Sequence, residues 1–185
     1  MAPPKKVQVS MPGVAEGKEV VGISIGDGVS AEDRVRSILE GSMGDDIFQG
    51  WGASLVHEDI QLVTASSNPG RVVFRYTVKP SHCNRLGNLH GGCTATLFDI
   101  CTTTSLAPIA KEGFWVFAGV SRTLSVTYIR PIPVGETVLI DCEVVHAGKR
   151  LCALKGQMKR ESDGAVMAVC EHGKVSIDPP VASKL

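Results

Sequence analysis

Asn84, the triplet His90-Gly91-Gly92 and a single carboxylate at Asp99 stand close together in the chain, in the run Asn84-Arg85-Leu86-Gly87-Asn88-Leu89-His90-Gly91-Gly92 and the small-residue stretch that follows it. A helix start presents backbone N–H groups that have no intrahelical acceptor, and glycines let a ligand come close to them. Placed at such a start, His90-Gly91-Gly92 could polarise a carbonyl oxygen, and Asp99 could supply the base. Spacing limits how they combine. At about 1.5 Å of rise per residue, Gly91 and Asp99 lie roughly 12 Å apart along one helix, so one carbonyl cannot touch both. If they serve one site, Asp99 must meet the Gly91 of a second copy, with two such helices antiparallel across a two-fold axis. The expectation is an obligate dimer with shared sites.

The elements that must position these groups can be read from periodicity. Residues 1–28 show no sustained period and are expected to form a loose extension, with Gly26-Asp27-Gly28 as a turn and not a dinucleotide fingerprint. Ser30 opens a short amphipathic helix whose Val35, Ile38 and Leu39 share a face. A second short helical stretch includes Phe48, Trp51 and Leu55. Residues 60–65 and 71–78, joined across Asn68-Pro69-Gly70, read as a hairpin. Residues 90–107 are apolar or small on every side until Pro108, which predicts a buried central helix. Strand-like runs follow at 119–129, 136–145, 151–160 and 165–175. The fold class is α+β, an antiparallel sheet wrapped around one long helix, in a domain over 29–178 followed by an exposed tail at 179–185.

Composition narrows the partners. A chain of 185 residues with 43% hydrophobic content suits one domain with a sizeable core. The 19 Lys and Arg balance 19 Asp and Glu, so no basic field exists to hold a nucleic-acid backbone. No apolar run is long enough to span a bilayer, and Met1-Ala2-Pro3-Pro4-Lys5-Lys6 lacks a following signal core, so a soluble, unsecreted protein is expected. The six cysteines form no CxxC and read as reduced core residues, and neither they nor the five histidines stand at metal-ligand spacing. Ser183-Lys184-Leu185 matches the peroxisomal address read by an import receptor, after a proline-bearing segment that keeps it exposed.

The pattern from Asn84 to Asp99, then Gly119-Val120-Ser121, Thr127-Tyr128 with Pro131, and Gly135-Glu136, resembles the hotdog-fold acyl-coenzyme A thioesterases of the phenylacetate-pathway and thioesterase-superfamily-member type. The resemblance covers roughly residues 59–177. It implies thioester hydrolysis at the interface of a homodimer, often paired again into a homotetramer. It also implies that Gly91 donates its N–H to the thioester carbonyl and Asp99 of the other subunit activates water or attacks directly. Asn84 would help position that water, with Ser121 beside Asp99. Tyr128, Arg130 and the hairpin His146, Gly148, Lys149 and Arg150 would lie near the coenzyme A nucleotide. No cofactor is implied, because an electrophilic thioester carbonyl needs an oxyanion donor and an activated water more than a metal.

Each of these residues also has a plain structural reading. Asp99 could face solvent, Gly91 and Gly92 could serve only helix packing, Asn84 could stabilise a turn, and Ser121 could be an ordinary strand serine. His90 fits a loop-orienting role better than that of a base, and Lys149 and Arg150 could be solvated hairpin charges. Two rival functions remain. One is a hotdog hydratase or dehydratase acting on enoyl or hydroxyacyl thioesters, and the other is a non-catalytic acyl-thioester-binding subunit.

Overall fold

Alternation of inward apolar and outward polar side chains builds the sheet. In the computed structural model, which describes residues 6–8, 19–41 and 51–179, the strands are β3 (Gln61–Ser67), β4 (Gly70–Thr77), β5 (Val120–Tyr128), β6 (Thr137–Ala147), β7 (Leu151–Arg160) and β8 (Val166–Val175). They form one six-stranded antiparallel sheet in the order β3-β4-β6-β7-β8-β5. Val72, Phe74 and Tyr76 of β4, Val138, Ile140 and Cys142 of β6, and Leu154 and Met158 of β7 point inward and are buried. Outward residues pair across strands instead, as when both guanidinium arms of Arg71 reach Asp141 at 2.7 Å. That guanidinium holds the Asp141 carboxyl below its ordinary range. The hairpin at Asn68-Pro69-Gly70 and the four later strands agree with the sequence reading to within about two residues at each end.

The long helix, α2 (Gly91–Thr104), lies across the inner face against β4, β5, β6, β7 and β8. Its Leu97, Phe98, Cys101 and Thr102 are buried on that face. After it, Pro108 ends the segment in a single 3-10 turn, Ala107–Ile109. The expectation of burial on every side is met only toward the sheet. Gly92, Thr96, Asp99 and Thr103, which recur at helical spacing, form a stripe of small and polar residues along the opposite face, Gly92 exposed and the other three half-buried.

At the N-terminal side, β1 (Lys6–Gln8) pairs with β2 (Glu19–Val21), and Ile23 is buried with its N–H bonded to Val116 O at 2.8 Å. The segment expected to be loose is therefore partly built into the domain. In α1 (Ala31–Gly41), Ser30 caps the start by accepting the Asp33 N–H at 3.1 Å, and Val35 is fully buried. Glu32 accepts the N–H of Ala65, so α1 covers part of the edge strand β3 that would otherwise offer open backbone groups. The second helical stretch is a π-helical turn, Leu55–Asp59, with Leu55 buried and Trp51 exposed; Phe48 lies outside the described residues, as does the tail carrying Ser183, Lys184 and Leu185. All six cysteines are free thiols. Among the described residues no helix is long and apolar enough to cross a membrane, and no cluster of His, Cys, Asp or Glu is arranged to hold a metal ion.

Gly156 sets how closely α2 approaches the sheet. A Cβ there would fall 2.9 Å from both the Cys170 Sγ and a ring carbon of Phe98, the residue next to Asp99. Gly156→Ala should therefore destabilise the protein by about 1–3 kcal/mol through overpacking. Urea unfolding measures it; an unchanged midpoint would contradict this packing.

Candidate active site

Candidate residues gather at the two ends of α2. At the amino end, His90 has extended backbone and caps the helix, its Nδ1 accepting the Gly92 N–H at 3.0 Å. That acceptor role ties the ring to the loop it leads out of. Gly91 follows as the first helical residue, where the N–H has no intrahelical acceptor. Its carbonyl accepts the Tyr128 hydroxyl at 2.8 Å. Nothing within one chain demands glycine at this position, since an added Cβ would make only ordinary contact with the Tyr128 ring at 3.5 Å. The side-chain oxygen of Asn84 accepts the N–H of Leu86 at 2.9 Å and of Asn88 at 3.3 Å, so the asparagine ties the turn that leads into the helix. Asn84, Asn88, Gly91, Tyr128 and Arg130 line one open cleft of about 410 Å³, and Arg130 is fixed there by donating to Val166 O.

Two helical turns further on stands the second group. The Asp99 Oδ1 accepts the Ser121 hydroxyl at 2.6 Å, and its side chain is 45% exposed in the single chain. Ser121 is the second residue of β5, two after Gly119, whose φ of +64° and lack of a Cβ are both required: a Cβ would stand 2.4 Å from Val175 O. Behind Ser121 lie two residues that the motif reading passed over. His172 Nε2 is 3.0 Å from Ser121 Oγ and 3.4 Å from Asp99 Oδ1, its Nδ1 is 2.6 Å from Thr102 Oγ1, and the Lys174 ammonium donates to Ser121 Oγ at 3.3 Å. Both are buried. The signal for them was present: Ala168, Cys170, His172 and Lys174 alternate on the inward face of β8, where a histidine and a lysine require polar partners.

Proton counting shows how tightly this group is built. Thr102 also contacts Phe98 O at 2.6 Å, so the path Phe98 O, Thr102, His172, Ser121, Asp99 contains four contacts. The two hydroxyls and a neutral imidazole supply three protons, and an imidazolium would supply the fourth. Burial opposes that charge most strongly and the Lys174 cation adds to it, against a weaker pull from Asp99. Together they push His172 down to about 4. Burial also lowers Lys174, again with Asp99 opposing. The ring is thus neutral near pH 7.

The expected nucleotide contacts divide between the two ends. Cross-strand register aligns Val120 with Val175 and Leu151, which puts His146, Gly148, Lys149 and Arg150, in and beside the β6–β7 turn, at the Ser121 end of the sheet. Gly148 fixes that turn by donating to Leu151 O and accepting the Trp115 indole N–H. Tyr128 instead aligns with Ala168 and Met158 at the far end, beside Gly91. One chain brings together Gly91, Asn84, Tyr128 and Arg130, and separately Asp99 and Ser121 with the basic hairpin on their side.

Because the folded pKa of His172 lies near 4 and its ordinary value is 6.5, the unfolded chain takes up a proton that the native ring refuses. The associated stability is complete above about pH 6.5 and lost as pH falls toward 4, amounting to roughly 3 kcal/mol. Urea unfolding across that window should show a steeper pH slope in the wild type than in His172→Gln. Equal slopes would contradict the buried neutral ring.

Residues 86–167 match the profile of the thioesterase superfamily. The chain is 32% identical over 123 residues to acyl-coenzyme A thioesterase 13 of Mus musculus, covering 66% of this chain and 84% of that relative. The Homo sapiens protein of the same name is 32% identical over 114 residues, covering 62% of this chain and 79% of its own length. Among solved structures, zebra fish thioesterase superfamily member 2 superposes with a TM-score of 0.65 at 27% identity, covering 79% of this chain and 97% of that one. With its helix held against a six-stranded antiparallel sheet, the chain belongs to the thioesterase superfamily and has the hotdog fold.

Proposed function

We propose that the chain, a thioester hydrolase by family, cleaves acyl-coenzyme A to free acid and coenzyme A, using Asp99 and the Gly91 amide from opposite subunits of a dimer. Acyl-coenzyme A as substrate rests on the names of the relatives that are 32% identical. The single observation that carries the shared site is the rigidity of α2, which holds the free N–H of Gly91 and the carboxylate of Asp99 roughly 12 Å apart in every copy. Three features of the lone chain support it. The stripe Gly92, Thr96, Asp99 and Thr103 is exposed or half-buried; β5 is an edge strand paired among the described residues with β8 alone; and Val120, Tyr128 and Ile129 are about half-exposed along it. A partner turned end for end would bring one copy's Gly91, Tyr128 and Arg130 toward the other's Asp99, Ser121, Lys149 and Arg150.

In the proposed reaction the thioester oxygen sits against Gly91 N–H, and water held by Asp99 adds to the carbonyl carbon as its proton passes to the carboxylate. Collapse breaks the carbon–sulfur bond, the sulfur leaves as thiolate, and the proton returns to it. Ser121, anchored by His172 and Lys174, holds Asp99 in one rotamer. Direct attack by Asp99 would pass through a mixed anhydride. Single turnover in heavy-oxygen water detects the anhydride route when water opens it at the Asp99 carbonyl, since the first product then carries oxygen from the enzyme and the label enters Asp99.

Asp99→Ala should lower kcat by at least about a hundredfold, in the range lost with a general base, while the fold is retained. Thiol release from a panel of acyl-coenzyme A esters measures it, and a wild-type rate in the folded variant would sink the assignment. Thiol release also separates hydrolysis from hydration, which would change enoyl absorbance without freeing a thiol. In sedimentation the active species should be a dimer or larger, and a fully active monomer would refute the shared site. We further propose that Ser183-Lys184-Leu185 addresses the protein to the peroxisome. Deleting Leu185 should leave a tagged protein cytosolic, and continued import would refute the address.

A further inference from the structure

A second polar group, apart from Asp99, lies under the loop that enters α2. The Asp59 carboxylate is 2% exposed and closes the π-helical turn before β3. It contacts the Lys79 ammonium and lies 3.6 Å from His82 Nε2. On the other side of that ring, Nδ1 is 2.7 Å from the hydroxyl of Tyr76, a fully buried residue of β4 whose ring stacks on the imidazole with centroids 6.0 Å apart. Burial holds the Tyr76 phenol in its protonated form. The Tyr76 hydroxyl thus meets Nδ1 on one side of the ring, and the Asp59 carboxylate faces Nε2 on the other. Cys93, in the first turn of α2, is the next polar neighbour of Tyr76.

The ring is pinned from both sides, and the backbone of the same residue closes the neck of the loop. His82 O accepts the His90 N–H at 2.8 Å, and Cys83 bridges Leu89 just inside. The Asn84 turn lies between, held also from outside by Leu89 N–H donating to Ile132 O at 2.8 Å and Val134 N–H donating to Gly87 O at 2.9 Å, and His90 in turn caps the helix by accepting Gly92 N–H. A swing of the His82 peptide would therefore be transmitted through His90 to the first amides of α2.

We infer that His82, clamped between Tyr76 and Asp59, is a positioning residue that fixes the direction of the Gly91 amide, and through it the orientation of the thioester carbonyl. The inference rests on the proposed role of Gly91. Asp59 and Tyr76 are buried and His82 is half-buried, and an apolar trio would fill the same space without needing partners.

The test uses Tyr76→Phe, which keeps the buried ring and removes one hydroxyl, with His82→Ala and His82→Asn, in the full-length protein. Tyr76→Phe and His82→Ala should lower kcat about 10- to 100-fold, the range produced by slight misplacement of a reacting group, with KM changed less than about threefold. His82→Asn, whose side-chain oxygen stands near the place of Nδ1 and keeps an acceptor for Tyr76, should recover most of the loss. Hydrogen exchange provides a readout independent of activity. Amides of residues 88–92 should exchange at least about tenfold faster in Tyr76→Phe and His82→Ala, while those of β6 and β7 keep wild-type rates. Unchanged exchange at 88–92, or a wild-type kcat in both variants, overturns the inference, and so does general acceleration across the sheet. Asp99→Ala is run alongside: its retention of activity would refute the catalytic reading, while the exchange data would still decide whether His82 holds the loop.

Discussion

A helix is a ruler, and α2 is the one on which the rest of this molecule depends. Its regular hydrogen bonding fixes the Gly91 amide and the Asp99 carboxylate at a separation that thermal motion does not close, because shortening it would break several backbone bonds at once. The sheet, the capped start and the absent side chain at Gly156 all serve to hold that rod in one place and one rotation. Rotation matters as much as position. The face carrying Leu97, Phe98 and Cys101 is driven into the sheet by burial worth about 1.5–3 kcal/mol for each large side chain. The face carrying Asp99 is thereby turned outward.

Both ends of the rod are held by polar groups, buried except for the half-buried His82, and its middle by apolar ones. At one end the inward face of β8 gives up apolar residues for His172 and Lys174, and at the other the end of β4 and the turn beyond it supply Tyr76 and His82. Buried polar side chains cost free energy unless each finds its partners, and they tolerate fewer alternative arrangements than methyl groups do. The shortage of one proton along the path from Phe98 O to Asp99 gives this a chemical edge. A neutral His172 leaves one contact unfilled, whereas a charged one would fill it at a desolvation cost that the neighbouring Lys174 makes worse.

The separation of the two ends also sorts the basic residues. Arg130 stands beside Tyr128 and Gly91, while Lys149 and Arg150 stand at the Ser121 end of the sheet, because antiparallel register ties the start of β5 to the β6–β7 hairpin. A phosphate-bearing ligand bound by both sets needs surfaces from two copies, as does a carbonyl bound by both Gly91 and Asp99. Two independent features of the chain, helical rise and strand register, thus make the same demand.

Sequence alone determined whatever depends on local geometry. Strand alternation, the Asn68-Pro69-Gly70 turn and the Ser30 cap all follow from the conformations open to neighbouring residues, and so does the Gly91–Asp99 spacing, although the helix itself stops at Thr104, short of Pro108. The elements beyond reach were those set by distant partners. Alternation along β8 marks His172 and Lys174 as inward residues, but their partners Ser121 and Thr102 are named only once β8 is paired with β5 and α2 is laid across it. His82 and Tyr76 carry no motif, and Asp59 gains its role only when the π-helical turn is folded against them. Nor did local pattern show that Gly22 to Ile25 pack into the domain, since Ile23 finds its partner at Val116. Local conformation is fixed by sterics and hydrogen bonds within a few residues. Which buried polar groups meet is decided by long-range register and helix rotation, and only the folded core sets those.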